Sequence, residues 1–188
     1  MLISLLLPIF LGAQPIEWPR TAGVHRVEGI EMKALGRKRN VWIYLPPGYV
    51  QDGFQAYPVI YAQDGQNLFE DSSSFTGEWR IDEQLDALYE QDRVVPIVVA
   101  IENGGAKRID EYSPWPGKYG GGEGHAYARF VAEELVPMID KNYMTQPDRD
   151  QRFLLGSSLG ALINSYIQLK YPDFFSANLA FSPAYWYN

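Results

Sequence analysis

The sequence predicts an α/β fold: a mixed, mostly parallel sheet flanked by helices. Three observations lead there. Short apolar runs bounded by turn residues alternate with stretches of helical periodicity, which implies crossover units. The segments before Val59 have no helix between them, so they read as antiparallel neighbours. A small-residue motif, Gly156-Ser157-Ser158-Leu159-Gly160, joins an apolar run to a long helix.

Residues 39–45 form the first strand candidate, with Val41, Ile43 and Leu45 on one face and Trp42 and Tyr44 on the other. Both faces are apolar, which suits a strand covered on two sides, and Pro46-Pro47-Gly48 stops it. Residues 58–63, 96–101, 153–155 and 177–181 give the remaining strands, each bounded by turn residues. Helical spacing places Ile81, Leu85, Leu88 and Tyr89 on one stripe. Phe130, Val131, Leu135, Met138 and Ile139 do the same within residues 125–143, where Pro137 predicts a kink or an early end. Leu162, Ile163, Tyr166, Ile167 and Leu169 make a third helix, ended by Tyr171-Pro172. No linker or repeat divides the chain, so residues 14–188 read as one domain.

The 188 residues are 46% hydrophobic and 21% charged, enough for one buried core. The net charge of −7 comes with no basic stripe, which sets nucleic-acid binding aside. With no cysteine and two histidines, His25 and His125, the chain lacks a thiolate nucleophile and the usual ligands of a zinc site. No metal or cofactor is expected. The apolar run at residues 2–11 is too short to span a bilayer. Followed by Gly12 and Ala13, it reads as a signal peptide over residues 1–13, although no basic residue precedes Arg20. A secreted or periplasmic location would follow.

The motif at 156–160 fits Gly-x-Ser-x-Gly with Ser158 at its centre. A serine on a sharp strand-to-helix turn needs small neighbours, because the two backbones crowd there. Gly156 and Gly160 supply that space. The helix that follows would aim its free N–H groups at Ser158. Taken locally, the motif fits either a nucleophile or a capped helix start. Ser157, at the x position, is expected to point away. An oxyanion hole would take the N–H of Leu159 and a second donor from the loop Asp64-Gly65-Gln66-Asn67, with Gln66 as the candidate.

Beyond the motif, the chain resembles the esterase D and enterochelin-esterase-like branch of the α/β-hydrolases. The resemblance is carried by residues 41–49 (VWIYLPPGY), 57–69 (YPVIYAQDGQNLF), 96–102 (PIVVAIE), 108–114 (RIDEYSP), 133–143 (EELVPMIDKNY), 155–160 (LGSSLG) and 171–186 (YPDFFSANLAFSPAYW). It implies an eight-stranded sheet, Ser158 as nucleophile and hydrolysis of carboxylic esters. Candidate substrates are feruloyl or acetyl esters on polysaccharide, siderophore esters and S-formylglutathione. One departure is Leu159-Gly160-Ala161 where the family has Met-Gly-Gly. Within the family's Arg-x-x-Glu-Tyr-x-Pro stretch, Arg108, Glu111 and Tyr112 fit either a substrate contact, Arg108 foremost, or an ion pair and buried tyrosine holding a loop. Trp186 and Tyr185 fit either an aromatic wall for the substrate or ordinary packing.

The triad order in this fold is serine, then acid, then histidine. After Ser158 come one acid, Asp173, in a position the family uses to hold a turn, and no histidine. His125 and His25 precede the serine and fit solvated or capping roles. The chain therefore reads as the N-terminal portion of a longer hydrolase, with an exposed apolar strand edge and negligible activity of its own. The alternative is a non-catalytic binding module or partner-dependent half-domain on the same scaffold.

Overall fold

The computed structural model describes residues 16–74 and 77–187. The expected signal peptide lies outside the described residues. The first strands, β1 (Gly23–Met32) and β2 (Arg37–Leu45), pair antiparallel. The reversal between them turns on Gly36 at φ 59°, a left-handed conformation that glycine adopts without strain. β1 has no clean alternation in sequence. Its register shifts between Val27 and Ile30, which breaks the period of two that would mark it as a strand. Residues 41–45 of β2 are all buried, as two apolar faces require.

From β3 (Val59–Gln63) the chain passes through α1 (Ile81–Tyr89) to β4 (Ile97–Ile101). A short helix, α2 (Arg108–Tyr112), and a two-residue hairpin, β5 (Pro116–Gly117) with β6 (Gly120–Gly121), lead into α3 (Gly124–Arg129). Then come α4 (Val136–Asn142), β7 (Arg152–Ser157), α5 (Leu159–Lys170) and β8 (Ala177–Phe181). The main sheet has the order β1-β2-β4-β3-β7-β8. β2 meets β4 antiparallel, and β3, β4, β7 and β8 run parallel. The described residues thus supply six strands of the eight that the resemblance implies.

Pro137 does not end its helix. The backbone between α3 and α4, Phe130–Leu135, winds as a π-helix, and α4 continues through the proline. The wider turn gives room for a residue that lacks an N–H and whose ring crowds the carbonyl one turn back. Two cores result. One face of the sheet packs Val41, Ile43, Tyr61, Val99 and Leu154 against Tyr127, Phe130, Leu135, Ile163 and Ile167. The other packs Trp42, Tyr44, Ala62, Val98 and Leu155 with Leu68 and Phe69, under Ile81 and Leu85 of α1. β8 lies at the sheet edge with Leu179 and Phe181 exposed, matching the expected apolar edge.

A buried ion-pair cluster ties α2 to β2. Both Glu111 carboxylate oxygens accept from Arg39 Nη2 at 2.7 Å, and Arg37 reaches Glu111 at 3.0 Å and Glu123 at 2.6 Å. Glu111 is wholly buried and Arg39 is 5% exposed. This clamp sets the start of α2, where Arg108 sits.

Candidate active site

Ser158 takes φ 56° and ψ −122° between the end of β7 and the start of α5. That region is nearly closed to residues with a Cβ and costs about 1–3 kcal/mol, so the surroundings must impose it. Two backbone hydrogen bonds do so. The Ser158 N–H donates to Phe181 O at 3.0 Å, and Ser158 O accepts from the Ala184 N–H at 3.1 Å. The side chain is exposed, and among the described residues Ser158 Oγ has no hydrogen-bond partner.

The glycines meet the steric demand read from the sequence. A Cβ on Gly156 would sit 2.7 Å from the Gly160 carbonyl and 2.9 Å from Asn164 Nδ2. One on Gly160 would come within 3.0 Å of Gln63 Cβ. Gly156→Ala is therefore expected to lower unfolding free energy by about 1–3 kcal/mol. Urea denaturation followed by circular dichroism checks it, and an unchanged midpoint would contradict the crowding. Beneath the turn a buried polar chain runs from the Tyr127 hydroxyl to Gln63 Oε1 (2.5 Å) and from Gln63 Nε2 to Asn164 Oδ1 (2.9 Å). Burial pushes the Tyr127 phenol well above its ordinary pKa, so it stays a neutral donor.

The N–H of Leu159 opens α5 and, like the first N–H groups of any helix, has no acceptor within it. The loop after β3 begins with Asp64 in the left-handed region and continues as a 3₁₀ turn over Gly65–Asn67. Gly65 is obligatory there, since a Cβ would lie 2.4 Å from Ala100 O. Gln66 is held by its side-chain oxygen, which accepts from the Asn103 N–H at 3.1 Å, and by its carbonyl, which accepts from Ser73 Oγ at 2.7 Å. Among the described residues the Gln66 N–H donates to no protein group. Leu159 and Gln66 thus present two unused donors on the two loops that meet at Ser158.

Arg108 grips Asp64 with two parallel hydrogen bonds of 2.7 and 2.8 Å, and Asn103 Nδ2 adds a third at 2.7 Å. Burial works against the Arg108 charge, but the Asp64 carboxylate more than offsets it and raises the arginine's pKa. The guanidinium lies over the Tyr112 ring at 5.1 Å, and the Tyr112 hydroxyl accepts from the Asp64 N–H at 3.1 Å. Burial, reinforced by the Asp64 charge, pushes that phenol far up. Arg108 and Tyr112 therefore hold the loop after β3, and Arg108 also lines the cavity. The ion pair of Arg108 is with Asp64, while Glu111 pairs with the β2 arginines.

These groups surround a cavity of about 680 Å³ bordered by Gln63, Asp64, Gln66, Leu68, Trp79, Arg108, Ser157 and Ser158. A hollow of about 800 Å³ lies elsewhere, against β1, and is rimmed by Glu28, Glu31, Lys33, Lys38, Glu133 and Glu134. Among the described residues its lining holds no serine or threonine. Ser157, expected to point away, is among the residues that border the Ser158 cavity, and its backbone pairs with Phe181. Trp186 does not line the cavity. It is 80% exposed on a 3₁₀ turn after β8, edge-on to the Tyr187 ring, and Tyr185 bonds to Ser165 on α5. Among the described residues, the aromatic side chain that borders the cavity is Trp79, which no sequence motif singled out. Its signal was position: it sits in the loop after a parallel strand, where such folds place their sites.

Neither histidine reaches Ser158. His125 Nδ1 shares a 2.5 Å hydrogen bond with the Tyr166 hydroxyl, and the imidazole packs edge-on to Trp115. Tyr166 is eight residues along α5 from Ser158, about 12 Å at 1.5 Å per residue. His25 Nε2 contacts Thr21 O at 2.7 Å on β1. Asp173 is exposed in the turn beyond the far end of α5.

With this geometry in place, the chain compares with known proteins as follows. The family model described as "Putative esterase" matches residues 32–187. The uncharacterized protein YbbA of Bacillus subtilis (strain 168) is 33% identical over 156 residues, covering 79% of this chain and 58% of YbbA. The ferri-bacillibactin esterase BesA of the same organism is 27% identical over 192 residues, covering 89% of this chain and 63% of BesA. The crystal structure of a BES protein from Bacillus cereus superposes with a TM-score of 0.72 at 22% identity, over 94% of this chain and 67% of that one. The chain spans about three fifths of the length of the curated relatives it matches.

Proposed function

The chain belongs to the esterase family whose model it matches, and from that premise we propose that it carries the nucleophile and oxyanion hole of a serine carboxylic ester hydrolase. The observation that supports this most is the strained backbone of Ser158, φ 56° and ψ −122°, at a turn with two unused N–H donors nearby. Strain of this kind on an exposed serine has no packing role. In the proposed reaction Ser158 Oγ attacks the ester carbonyl and its proton passes to a base. The Leu159 and Gln66 N–H groups take the charge that develops on the carbonyl oxygen. The alkoxide leaves with that proton, and water then cleaves the acyl-enzyme.

Since His25 and His125 lie away from Ser158, the proposal places the base outside these 188 residues. Candidate esters are feruloyl or acetyl groups on polysaccharide and siderophore esters, the latter in keeping with the name of BesA. A leader at residues 1–13 and a secreted or periplasmic location belong to the same proposal. No described helix is long and apolar enough to cross a membrane. The missing base also favours a second reading, a non-catalytic or partner-dependent half-domain.

An aryl phosphonofluoridate separates the two. In a base-complete protein it is expected to form an Oγ–P bond at Ser158 with loss of fluoride, read by peptide mass. On the 188-residue chain alone, labelling and turnover are expected to be negligible. Modification at another residue in the base-complete protein would overturn the assignment of Ser158.

A further inference from the structure

Among the described residues that border the Ser158 cavity, Asp64 and Arg108 alone carry a formal charge, and each is committed to the other. Arg108 Nε and Nη2 donate to the two Asp64 carboxylate oxygens at 2.7 and 2.8 Å. Asp64 has no freedom to swing away. Its N–H donates to the Tyr112 hydroxyl at 3.1 Å, its carbonyl accepts from the Asn67 N–H at 2.9 Å, and Asn103 Nδ2 holds Oδ1 at 2.7 Å.

That carboxylate sits where a negative charge is costly. A Cβ on Gly160 would meet Asp64 Oδ2 at 3.1 Å, so the carboxylate abuts the first turn of α5, one residue past Leu159. In the chain it lies two residues before Gln66. It therefore stands beside both proposed oxyanion donors. Left uncompensated, it would repel the charge that grows on the ester carbonyl oxygen. It would also draw on the positive helix end that this oxygen needs. The loop nonetheless starts in the left-handed region, φ 57° and ψ 44°, which aspartate and asparagine tolerate best after glycine. A tether alone would be served by an asparagine, which accepts hydrogen bonds from Arg108 and Asn103 as well.

We infer that Arg108 is a positioning residue that acts through Asp64, cancelling a carboxylate charge that would otherwise oppose the oxyanion at Ser158. This rests on the reading of Ser158 as nucleophile with Leu159 and Gln66 as donors.

Steady-state hydrolysis of an uncharged aryl acetate by the base-complete protein tests it. Arg108→Met leaves the carboxylate unpaired and is expected to lower kcat about 30- to 100-fold, with KM changed less than about threefold. Asp64→Asn removes the anion and is expected to lose at least tenfold less. The double variant is expected to regain at least tenfold over Arg108→Met. It leaves no unpaired charge, so it keeps the test decisive if Arg108→Met folds poorly: its kcat is expected within about tenfold of the parent, and a larger loss would overturn the inference. A merely structural tether predicts equal losses in the two single variants and no recovery in the double, and that result would overturn it too. So would a raised KM with kcat intact in Arg108→Met, which would make Arg108 a substrate contact. Undiminished turnover in Ser158→Ala would sink the nucleophile reading and this inference together. Collapse in Ser158→Ala without the asymmetry between Arg108→Met and Asp64→Asn would sink this inference alone.

Discussion

Ser158→Ala in the base-complete protein is expected to lower kcat for an activated aryl acetate by about 10⁴- to 10⁶-fold. The loss is this large because nucleophile and base act as one unit, so removing either forfeits the covalent route. Under the proposed mechanism, what remains is the contribution of the Leu159 and Gln66 N–H groups and of substrate binding. Stability should hardly change, since alanine meets the same strain at φ 56° that serine does. Ser157→Ala is the matched control. Ser157 lines the same cavity but keeps its backbone in the β7 ladder, so its loss is expected to change kcat by less than about threefold. Steady-state hydrolysis of the two variants decides. Undiminished turnover in Ser158→Ala, or an equal collapse in Ser157→Ala, would remove Ser158 from the mechanism.

The largest effect on stability is expected at Glu111. Its carboxylate is wholly buried and takes two 2.7 Å hydrogen bonds from Arg39, itself 5% exposed. Glu111→Gln leaves a buried guanidinium facing a neutral amide, at an expected cost of about 3–5 kcal/mol. That is a large part of the roughly 5–15 kcal/mol that holds a domain folded. Because Glu111 ties α2 to β2, the Arg108 grip on Asp64 should loosen as well. Replacing both partners, Arg39→Met with Glu111→Leu, is expected to recover most of the loss, since no charge is then left buried. Urea unfolding of the three proteins checks this. A single-variant loss below about 1 kcal/mol would mean that water or a rearranged Arg37 satisfies Arg39.

Much of this was legible in the residues. The strands at 59–63, 97–101 and 177–181 follow short apolar runs closed by turn residues, and such runs identify themselves locally. β1 was not legible, because its bulge breaks the alternation and its charged residues face solvent. Pro137 predicts a kink or an early end because a proline in sequence shows only the lost N–H and the crowding ring. The π-helical stretch that absorbs it depends on neighbouring turns. Trp186 stood in a stretch that carries the family resemblance and Trp79 did not, so only Trp186 was a candidate from the sequence. Their roles differ because Trp79 is tied to the Asn67 loop and to Phe181, contacts between residues far apart in the chain.

By itself, then, the sequence determined the alternating α/β pattern, the strand–serine–helix turn and the glycines that make it possible. Those are properties of adjacent residues: φ/ψ restrictions, periodicity and the space a side chain needs. Only the tertiary structure decided that Ser158 is held at φ 56° by Phe181 and Ala184, that Arg108 is committed to Asp64, that Trp79 borders the Ser158 cavity and that His125 is bound to Tyr166 instead. Each of those follows from where the sheet order places distant segments, and sheet order is set by the packing of both cores together.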